Sequence, residues 1–486
     1  MGLLALHGLL YLRALAWDVV DDAYISFHYA RNLMEGHGLV FNIAEKVEGY
    51  TNFLWTVLLA PLIGLGIPPA PTAVLAGLTF SGVTIWLVHR LGQRVGEPWV
   101  GAIAALFLAL DGSFALWSVG GMETAMFTCL VLIGAAAYLR ELSAPRWPLS
   151  GLLFALAAMT RPEGVMLFAV TVGHQVLVRL FEEGRLLRGR DLIRILLFGG
   201  LWGSYFLSRW WYYGFPLPNT FYAKVDAGGS QAQIMRGVHY FLTFARIHLG
   251  YIAWLPLALL FIRRRVARWT TYALAMVGAY GAYVVYVGGD WSVGRFLVPP
   301  LPFFYLLLAQ GLVEGYRWLR DRRTGRSILL RRLSLGVLIL FLVSMGLASS
   351  WWGEYELFVR PFEAGLANRA RIAMGRWLRE NAPSDTVIGV DAAGELPYYS
   401  RLRTVDLFGI TQPSIAHMEV SHMGQGTPGH EKFGLGFVLA QRPDYIIIYG
   451  NALDGVEPYQ RVDVGWTEEP ELKDFLSIYQ LKAQRP

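Results

Sequence analysis

With 486 residues the chain is long enough for two or three soluble domains, but its composition argues against that class of protein. Hydrophobic residues make up 55% of the chain and charged residues only 16%, whereas globular chains carry about a quarter of their residues as Asp, Glu, Lys and Arg. Stretches such as 70–86 and 333–348 contain no charged residue. The composition therefore predicts a polytopic α-helical membrane protein that lies in a lipid bilayer.

The basic character of the chain does not indicate a nucleic-acid partner. The net charge is +6 and the pI about 9.2, but most arginines lie in short clusters between apolar runs. Such clusters are typical of topology signals, not of a phosphate-binding groove. The one cysteine, Cys129, excludes an intrachain disulfide and a thiolate metal cage.

Arginine distribution predicts the orientation of the chain in the membrane. If residues 70–89 form the second span, five loops that together hold nineteen arginines all fall on one side, which the positive-inside rule makes cytoplasmic. Counting Phe53–Ile67 as a span would reverse the later loops and destroy this pattern. We therefore interpret Phe53–Ile67 as a helix that lies in the outer interface or dips into it.

The resulting topology has about eleven spans, with the amino terminus inside. They are expected near residues 2–17, 70–89, 98–110, 124–139, 149–161, 163–181, 193–213, 250–263, 270–287, 297–316 and 333–350. The first ends in a sequence that resembles a signal-peptidase site, and we interpret it as a retained helix.

The chain is predicted to contain two domains. Residues 1–350 form the transmembrane module, with a first outer loop over residues 18–69. After Ser350 charges become frequent, and residues 351–486 are predicted to form a soluble extracytoplasmic α/β domain. Its expected helices are 371–380 and 433–441, and its expected strands are 386–390, 404–407 and 445–449.

The first outer loop begins with two adjacent carboxylates, Asp21 and Asp22. At a membrane interface burial raises the pKa of a carboxyl group, which readies it as a base. The alternative is that one of them caps the helix that starts at Ala23. Capping and chemistry are compatible if one aspartate caps the helix while its neighbour faces a site.

Four further outer loops combine glycine or proline with polar residues, at 120–124, 160–164, 216–224 and 288–295. An arginine between two apolar segments, as Arg161 is, usually marks a site. The structural alternative for Arg161 is an ion pair with Glu163 or Glu123, and for Arg295 an ion pair with Asp290. For Lys224 the alternative is snorkelling to lipid headgroups. We expect these loops to converge with Asp21 and Asp22 on one cavity.

Motifs of soluble enzymes are absent from the sequence. It has no phosphate-binding glycine loop, no His-Glu-x-x-His and no Gly-x-Ser-x-Gly. The spacing of His417, His422 and His430 matches no zinc site, so these histidines are expected in exposed loops.

The segments 21–32 (DDAYISFHYARN) and 47–55 (VEGYTNFLW) resemble the GT-C superfamily of membrane glycosyltransferases, and most of all its arabinofuranosyltransferase branch. The likeness continues through residues 160–164, the Gly-Gly-Asp-Trp stretch at 288–291 and residues 295–299. It implies a GT-C fold of about eleven transmembrane helices with a carboxy-terminal extracytoplasmic domain.

The resemblance also implies an activity. A sugar, with arabinofuranose as one candidate, would pass with inversion from a polyprenyl-phosphate donor to a hydroxyl of a cell-envelope glycan or glycolipid. The site would lie on the outer face of the bacterial inner membrane. No cofactor is expected; a divalent metal bound by carboxylates such as Asp21, Asp22, Glu123 and Asp290 is conceivable, but metal independence is favoured.

The same resemblance, together with position, assigns roles to individual residues. Asp21 would be the catalytic base and Asp22 its supporting residue, while Arg161, Lys224 and Arg295 are the candidates for the donor phosphate. The remaining polar and aromatic residues of the outer loops are candidates for substrate binding: Tyr24, His28, Glu48, Tyr50, Asn52, Glu123, Asn219, Asp290 and Trp291.

Two other functions compete with this one. Multispan proteins with charged residues in the membrane are often transporters or flippases for lipid-linked or polyanionic substrates, but here the polar residues fall on one face only. The other alternative is a scaffold whose outer domain binds polysaccharide. In that domain, the segment 390–400 is predicted to contact an acceptor through Asp391, Tyr398 and Tyr399. The alternative is that Asp391 caps the following helix and the two tyrosines pack on the bundle.

Overall fold

The computed structural model describes residues 2–95, 98–144, 147–184, 186–225, 229–248, 268–292, 294–322 and 363–482, with a few isolated positions between 336 and 347. Fourteen α-helices lie in the described ranges before residue 323. They are α1 (Gly2–Ala14), α2 (Asp21–Met34), α3 (Phe53–Gly64), α4 (Pro69–Val95), α5 (Pro98–Leu110), α6 (Gly112–Val119), α7 (Thr124–Ser143), α8 (Ser150–Thr160), α9 (Glu163–Glu183), α10 (Gly189–Tyr213), α11 (Asn219–Lys224), α12 (Gln231–Ile247), α13 (Arg268–Val287) and α14 (Leu301–Arg322).

Four of these helices, α4, α7, α9 and α13, are long and apolar enough to cross a membrane. The pair α5 and α6 passes the same test as one span that is bent by 64°, and the prediction had ended that span at residue 110 without the second helix. The polytopic helical fold is therefore confirmed. The spans expected at 250–263 and 333–350 lie almost wholly outside the described residues.

Helix α3 corresponds to the apolar run that we assign to the outer interface. Its 12 residues extend over about 18 Å at 1.5 Å per residue, less than the roughly 30 Å of a bilayer core. It packs mainly against α2 and also contacts α4 and α8. The length of α3 fits an interfacial helix, and its side of the membrane stays a prediction.

Close backbone contacts hold the bundle together where α4 meets α5. An added Cβ at Gly92 would lie 2.4 Å from the Cα of Gly101, and one at Gly101 would lie 2.1 Å from the carbonyl oxygen of His89. Only glycine fits at both positions, because any side chain would force the two helices apart.

The carboxy-terminal region is a small α/β layer around a five-stranded sheet. Its helices are α15 (Ala364–Asn381), α16 (Glu395–Ser400), α17 (Pro413–Ala416), α18 (Leu435–Gln441) and α19 (Pro470–Phe475), and its strands are β1 (Val387–Val390), β2 (Arg403–Asp406), β3 (Tyr445–Tyr449), β4 (Tyr459–Arg461) and β5 (Leu476–Leu481). The strand order is β2-β1-β3-β5-β4. Strand β1 pairs in parallel with β2 and β3, while β5 runs antiparallel to β3 and β4.

Alternating residues of the strands bury the two faces of this sheet. On β3, Ile447 packs in a cluster with Met374 and Leu378 of α15, whereas Ile446 and Ile448 pack in a second cluster on the opposite face. The three strands and two helices predicted from the sequence are present; the strands and α18 lie within two residues of their expected bounds, whereas α15 begins seven residues before the expected start at 371. Strands β4 and β5 and the helices α16, α17 and α19 were not predicted.

Polar contacts dock the sheet region onto the first outer loop. The side chain of Asn368 donates to the backbone carbonyls of Leu15 and Val19, at 3.3 and 2.8 Å. The Asn42 side chain donates to the carbonyl of Thr404 and accepts from its amide. These contacts bring the carboxyl ends of β1, β2 and β3 towards the start of α2.

Candidate active site

A cavity of about 590 Å³ lies between the start of α2 and the sheet, a volume in the usual range for small-molecule sites. The bundle contributes charged and aromatic residues to its wall, among them Asp21, Asp22, Lys224 and Trp291. The carboxy-terminal region contributes the opposite wall, which includes Asn368, Arg371, Asp391, Asp406, Phe408, His430, Phe433 and Tyr449. Of the residues predicted for the site, these four from the bundle meet at one cavity.

Asp21 is held by the backbone of the carboxy-terminal region. Its Oδ1 accepts the Glu395 amide at 2.8 Å and its Oδ2 accepts the Gly394 amide at 3.2 Å. A carboxylate oxygen has two lone-pair positions, so each oxygen keeps capacity for a further donor. An added Cβ at Gly394 would lie 2.0 Å from the Asp21 carbonyl oxygen, and this approach therefore requires glycine.

The capping alternative for the aspartates is wrong for their own helix. The N-cap of α2 is Val20, and no side chain caps it. Instead, the Asp21 carboxylate accepts hydrogen bonds from the backbone amides at the start of α16, which is 373 residues further along the chain. The sequence contains no local signal for that contact.

Asp22 faces cationic and aromatic groups of the bundle. Its Oδ2 lies 3.4 Å from Nε1 of Trp291 and 3.4 Å from Nη1 of Arg295. The Lys224 ammonium also acts on it electrostatically. Among the described residues, no carboxylate lies within ion-pair distance of Lys224. Its positive charge is therefore available to a ligand at this wall.

The two aspartates differ in acidity. Burial raises the pKa of Asp21, and Asp22 adds to the rise, against the opposing effect of Arg371. Burial would also raise the pKa of Asp22, but Lys224 and Arg295 together lower it below its usual range. Asp21 is therefore the stronger base of the pair, and Asp22 stays ionised among cations.

Arg295 lies behind the cavity wall and is partly neutralised. Its Nε is 2.5 Å from Oδ2 of Asp290 and its Nη2 donates to Oδ1 at 2.9 Å, a two-pronged pair, while Nη1 faces Asp22. The structure thus contains both the Asp290 pair expected as the alternative and a contact with the candidate catalytic residue.

Arg161 lies deeper still, in a buried triad. Its Nη1 is 2.7 Å from Glu123 and its Nη2 is 2.7 Å from Glu163. Glu123 also accepts from Nδ2 of Asn52 at 2.8 Å. Both carboxylates that were proposed as alternative partners bind Arg161 at once, so its positive charge is already compensated and is not available to a phosphate. Arg161 also does not line the cavity.

The other predicted substrate-binding residues form the framework of the outer loops and do not line this cavity. The Tyr24 hydroxyl donates to Asp18 at 2.8 Å and lies 3.1 Å from the Tyr399 hydroxyl, and Tyr50 lies 3.2 Å from the hydroxyl of Tyr213. The remaining residues make the following contacts: His28 stacks on Phe41, Glu48 pairs with Arg209, and Asn219 donates to the carbonyls of Gly409 and Ile410.

Sequence reasoning missed most of the opposite wall. Arg371, Asn368 and Phe433 had no distinguishing signal, since each lies in an ordinary helix or loop. Asp391 was singled out because it follows a strand, and the ends of the next two strands, at Asp406 and Tyr449, would have given the same signal. Tyr398 and Tyr399 instead pack against Tyr24 of α2.

The described residues contain no group of three or more His, Cys, Asp and Glu that could hold a metal ion. His417, His422 and His430 are exposed, as expected from their spacing. His417 packs on Tyr222 with ring centroids 4.3 Å apart, and His430 lines the cavity.

Residues 362–484 match a family model described as a domain of unknown function, DUF8728. The chain is 28% identical over 375 residues to a terminal beta-(1->2)-arabinofuranosyltransferase of Mycobacterium tuberculosis, covering 66% of this chain and 57% of the relative. A protein of the same description from Corynebacterium glutamicum is 26% identical over 353 residues, covering 61% and 48%. The chain spans about half the length of these curated relatives.

Solved structures give the fold over nearly the whole chain. ArnT from Cupriavidus metallidurans bound to undecaprenyl phosphate superposes with a TM-score of 0.63 at 11% identity, covering 99% of this chain and 98% of that one. The oligosaccharyltransferase of Archaeoglobus fulgidus gives a TM-score of 0.54 at 13% identity, covering 92% and 68%. The chain has the fold of the GT-C membrane glycosyltransferases. Its sequence is similar to that of arabinofuranosyltransferases, so the resemblance to the superfamily is confirmed.

Proposed function

We propose that the protein is an inverting glycosyltransferase which moves a sugar from a polyprenyl-phosphate donor to a hydroxyl of a cell-envelope glycan or glycolipid. Arabinofuranose is the first candidate for the sugar, because the curated relatives are named as arabinofuranosyltransferases. The site would lie on the extracytoplasmic face of a bacterial inner membrane, with residues 351–486 on the same side.

One observation carries this proposal: a half-buried carboxylate, Asp21, lines the same cavity as Lys224, which no carboxylate of the described residues approaches within ion-pair distance. Asp21, whose pKa burial raises, and Lys224 both line the cavity, and Asp22 lies electrostatically coupled to each of them. Transfer from a phosphate-linked sugar needs a base for the incoming hydroxyl and a cation for the departing phosphate. The cavity offers one of each.

In the proposed reaction, the acceptor oxygen attacks the anomeric carbon while Asp21 takes the hydroxyl proton. The bond between the anomeric carbon and the phosphate oxygen breaks, and its electron pair leaves with the polyprenyl phosphate. Lys224, supported by Arg295, offsets the negative charge that grows on that oxygen. Attack from the side opposite the leaving group inverts the anomeric centre.

The other residues of the wall have supporting roles in this scheme. Asp22 holds Arg295 and Trp291 in place and balances the cations before the donor arrives. Arg161 is not assigned to the phosphate, because Glu123 and Glu163 already neutralise it. It would instead fix the loops that carry the wall.

The competing functions have less support. A transporter is not supported by the relatives or by the structural neighbours, which are glycosyltransferases. A scaffold that only binds polysaccharide gives no reason for Asp21, whose pKa burial raises, and Lys224 to line the same cavity.

The direct test is a transfer assay with the full chain in lipid nanodiscs. The donor would be polyprenyl-phosphate-linked arabinofuranose and the acceptor an octyl arabinofuranoside, with release of polyprenyl phosphate and glycoside extension as the two readouts. Asp21→Asn is expected to lower the rate about 10²- to 10⁴-fold, the usual contribution of a general base.

Asp18→Asn is the matched control for this test. Asp18 lies in the same loop, and burial raises its pKa as well, but it does not line the cavity. Its variant should keep the wild-type rate within a few-fold. Equal losses in both variants, or no turnover of any polyprenyl-phosphate sugar by the wild type, would overturn the proposed function.

A further inference from the structure

The carboxyl ends of the three parallel strands face the same cavity as Asp21. Asp391 follows β1, Asp406 ends β2 and Tyr449 ends β3, and all three line the cavity. In open α/β sheets, ligands bind outside the carboxyl ends of parallel strands. This edge is therefore a second wall of the cavity, with its own chemistry.

Hydrogen bonding distinguishes the two aspartates of this edge. Asp406 is bound at both oxygens by amides of its own loop: its Oδ1 accepts the Phe408 amide at 2.9 Å and its Oδ2 accepts the Thr411 amide at 3.0 Å. The Oδ2 of Asp391 accepts one amide from another element, that of Tyr449 at 2.7 Å. Asp391 therefore has acceptor capacity left for a ligand, and Asp406 serves to shape its loop.

Arg371 of α15 lies near Asp391, Asp21 and Glu395, whose charges all act on its guanidinium. The nearest carboxylate oxygen, Oε2 of Glu395, lies 3.8 Å from its Nη1, longer than a hydrogen bond. Within the described part of the chain, neither oxygen of the fully buried Glu395 has a hydrogen-bond partner. The Arg371 side chain lines the cavity and is 19% exposed, so the guanidinium donors that do not face Glu395 can reach a ligand there.

The charge of this wall favours a neutral ligand. Asp21, Asp391 and Glu395 share a single guanidinium, that of Arg371, so an anionic group placed here would meet more carboxylates than cations. Aromatic side chains complete the wall, with Phe433 and Tyr449 respectively 40% and 65% exposed. Charged planar groups that bind hydroxyls, beside rings that cover apolar C–H faces, suit a carbohydrate.

We propose that this edge of the sheet is the subsite for the terminal sugar of the acceptor, a neutral furanose or pyranose. Asp391 accepts from one ring hydroxyl, Arg371 donates to a neighbouring one, and Phe433 covers the apolar face of the ring. This assignment rests on the proposed glycosyl transfer for its direction, since a sugar bound here presents its free hydroxyl towards Asp21. It gives the DUF8728 region a role in acceptor recognition.

The test measures binding of simple glycosides to the full chain in nanodiscs by saturation-transfer NMR. The probes are methyl arabinofuranoside, methyl mannopyranoside and the anionic methyl glucuronoside. At least one neutral glycoside should bind, and the glucuronoside should bind several-fold more weakly than the neutral pyranoside. Asp391→Asn is expected to weaken binding of the neutral glycoside about tenfold, the loss that corresponds to one good hydrogen bond.

Two further variants show whether a loss of binding is specific to this subsite. Asp444→Asn is the matched control, because Asp444 accepts a single backbone amide, that of Val387, at the opposite end of the same strands, and it should bind as the wild type does. Phe433→Ala removes a partly exposed ring at little cost to folding and should weaken binding several-fold. If no neutral glycoside binds the wild type, or if Asp391→Asn and Asp444→Asn bind equally, the subsite is wrong.

Binding of undecaprenyl phosphate in the same samples separates this proposal from the proposed function. Asp391→Asn should leave that affinity unchanged. If undecaprenyl phosphate does not bind the wild type while glycoside binding depends on Asp391, the transfer reaction fails and the carbohydrate subsite stands. If the phosphate binds and the glycosides do not, the subsite fails alone.

Discussion

Two arginines of the outer loops, Arg161 and Arg295, look equivalent in the sequence and differ in the structure. Each follows an apolar segment and has carboxylates close by in the chain. Arg161 is bound on both sides, by Glu123 and Glu163, at 2.7 Å each. Arg295 is bound on one side by Asp290 and turns its remaining nitrogen to Asp22. Both guanidinium groups contact the ring of Phe296.

The difference shows that a buried arginine identifies a site only after its partners are located. Each of the two arginines contacts two carboxylates. The partners of Arg161 join the start of α7, the end of α8 and the start of α9, and neither lines the cavity. One partner of Arg295, Asp22, does line the cavity, so Arg295 can respond to a ligand there. The position of the partners, not burial, separates the two roles, since both side chains are buried.

The largest expected effect is on stability, at the ion pairs of Arg161. Arg161→Met leaves two buried carboxylates unpaired and should lower the free energy of unfolding by about 3–5 kcal/mol. Thermal unfolding in detergent micelles measures it. Arg369→Met removes an exposed pair with Glu469 and should cost about 1 kcal/mol or less. Similar losses in the two variants would contradict the structural role of Arg161.

At Arg295 the expected effect is on the reaction. Arg295→Met should lower the transfer rate about 10²-fold, because a positioned cation near the developing phosphate charge is lost. Arg295→Lys should recover part of that loss. A variant that unfolds as Arg161→Met does, with an unchanged rate in the folded fraction, would place Arg295 in the framework instead.

Lys224 carries the charge that no carboxylate of the described residues pairs with, so it should act on the donor alone. Lys224→Met is expected to raise the KM for the polyprenyl-phosphate donor about tenfold, roughly 1.4 kcal/mol, and to leave the KM for the acceptor unchanged. Initial rates at varied donor and acceptor concentrations separate the two constants. If only the KM for the acceptor rises, the assignment of Lys224 to the donor is wrong.

The smallest effect is on the pH dependence. Burial raises the pKa of Asp21, and the base works only when ionised, so kcat/KM should fall with decreasing pH through a pKa above the ordinary value of about 3.9. Asp18→Asn should not move this limb. Arg371→Gln should move it to higher pH, because the guanidinium favours the charged form of Asp21. A limb at or below the ordinary value would show that another group titrates.

Local pattern was enough to predict much of the fold. Apolar runs of sufficient length gave α4, α7, α9 and α13, and the β-rich segment 445–449 gave β3 with its bounds correct. Strand β4 has only three residues, too few for a periodic signal. Helix α6 was missed because it is the second half of a bent span, and periodicity does not reveal a bend.

The site was less predictable, because its geometry comes from contacts between distant parts of the chain. That Asp21 and Asp22 stand side by side in the first loop is visible in the sequence, and so is the presence of Lys224. Which cation stays uncompensated depends on where Glu123, Glu163 and Asp290 fold. The partners of Asp21 are two backbone amides. Because nearly every residue type has a backbone amide, the sequence carries no signal for this contact.

The close approach of Asp21 and Gly394 constrains which residues these two positions can hold in related chains. Only glycine allows the backbone of the DUF8728 region to come this close to the first residue of α2, and the carboxylate it receives belongs to a different part of the chain. The two positions therefore depend on each other, although they lie in different segments of the chain. In related chains that join such a first loop to this region, the aspartate and the glycine should be gained, kept and lost as a pair.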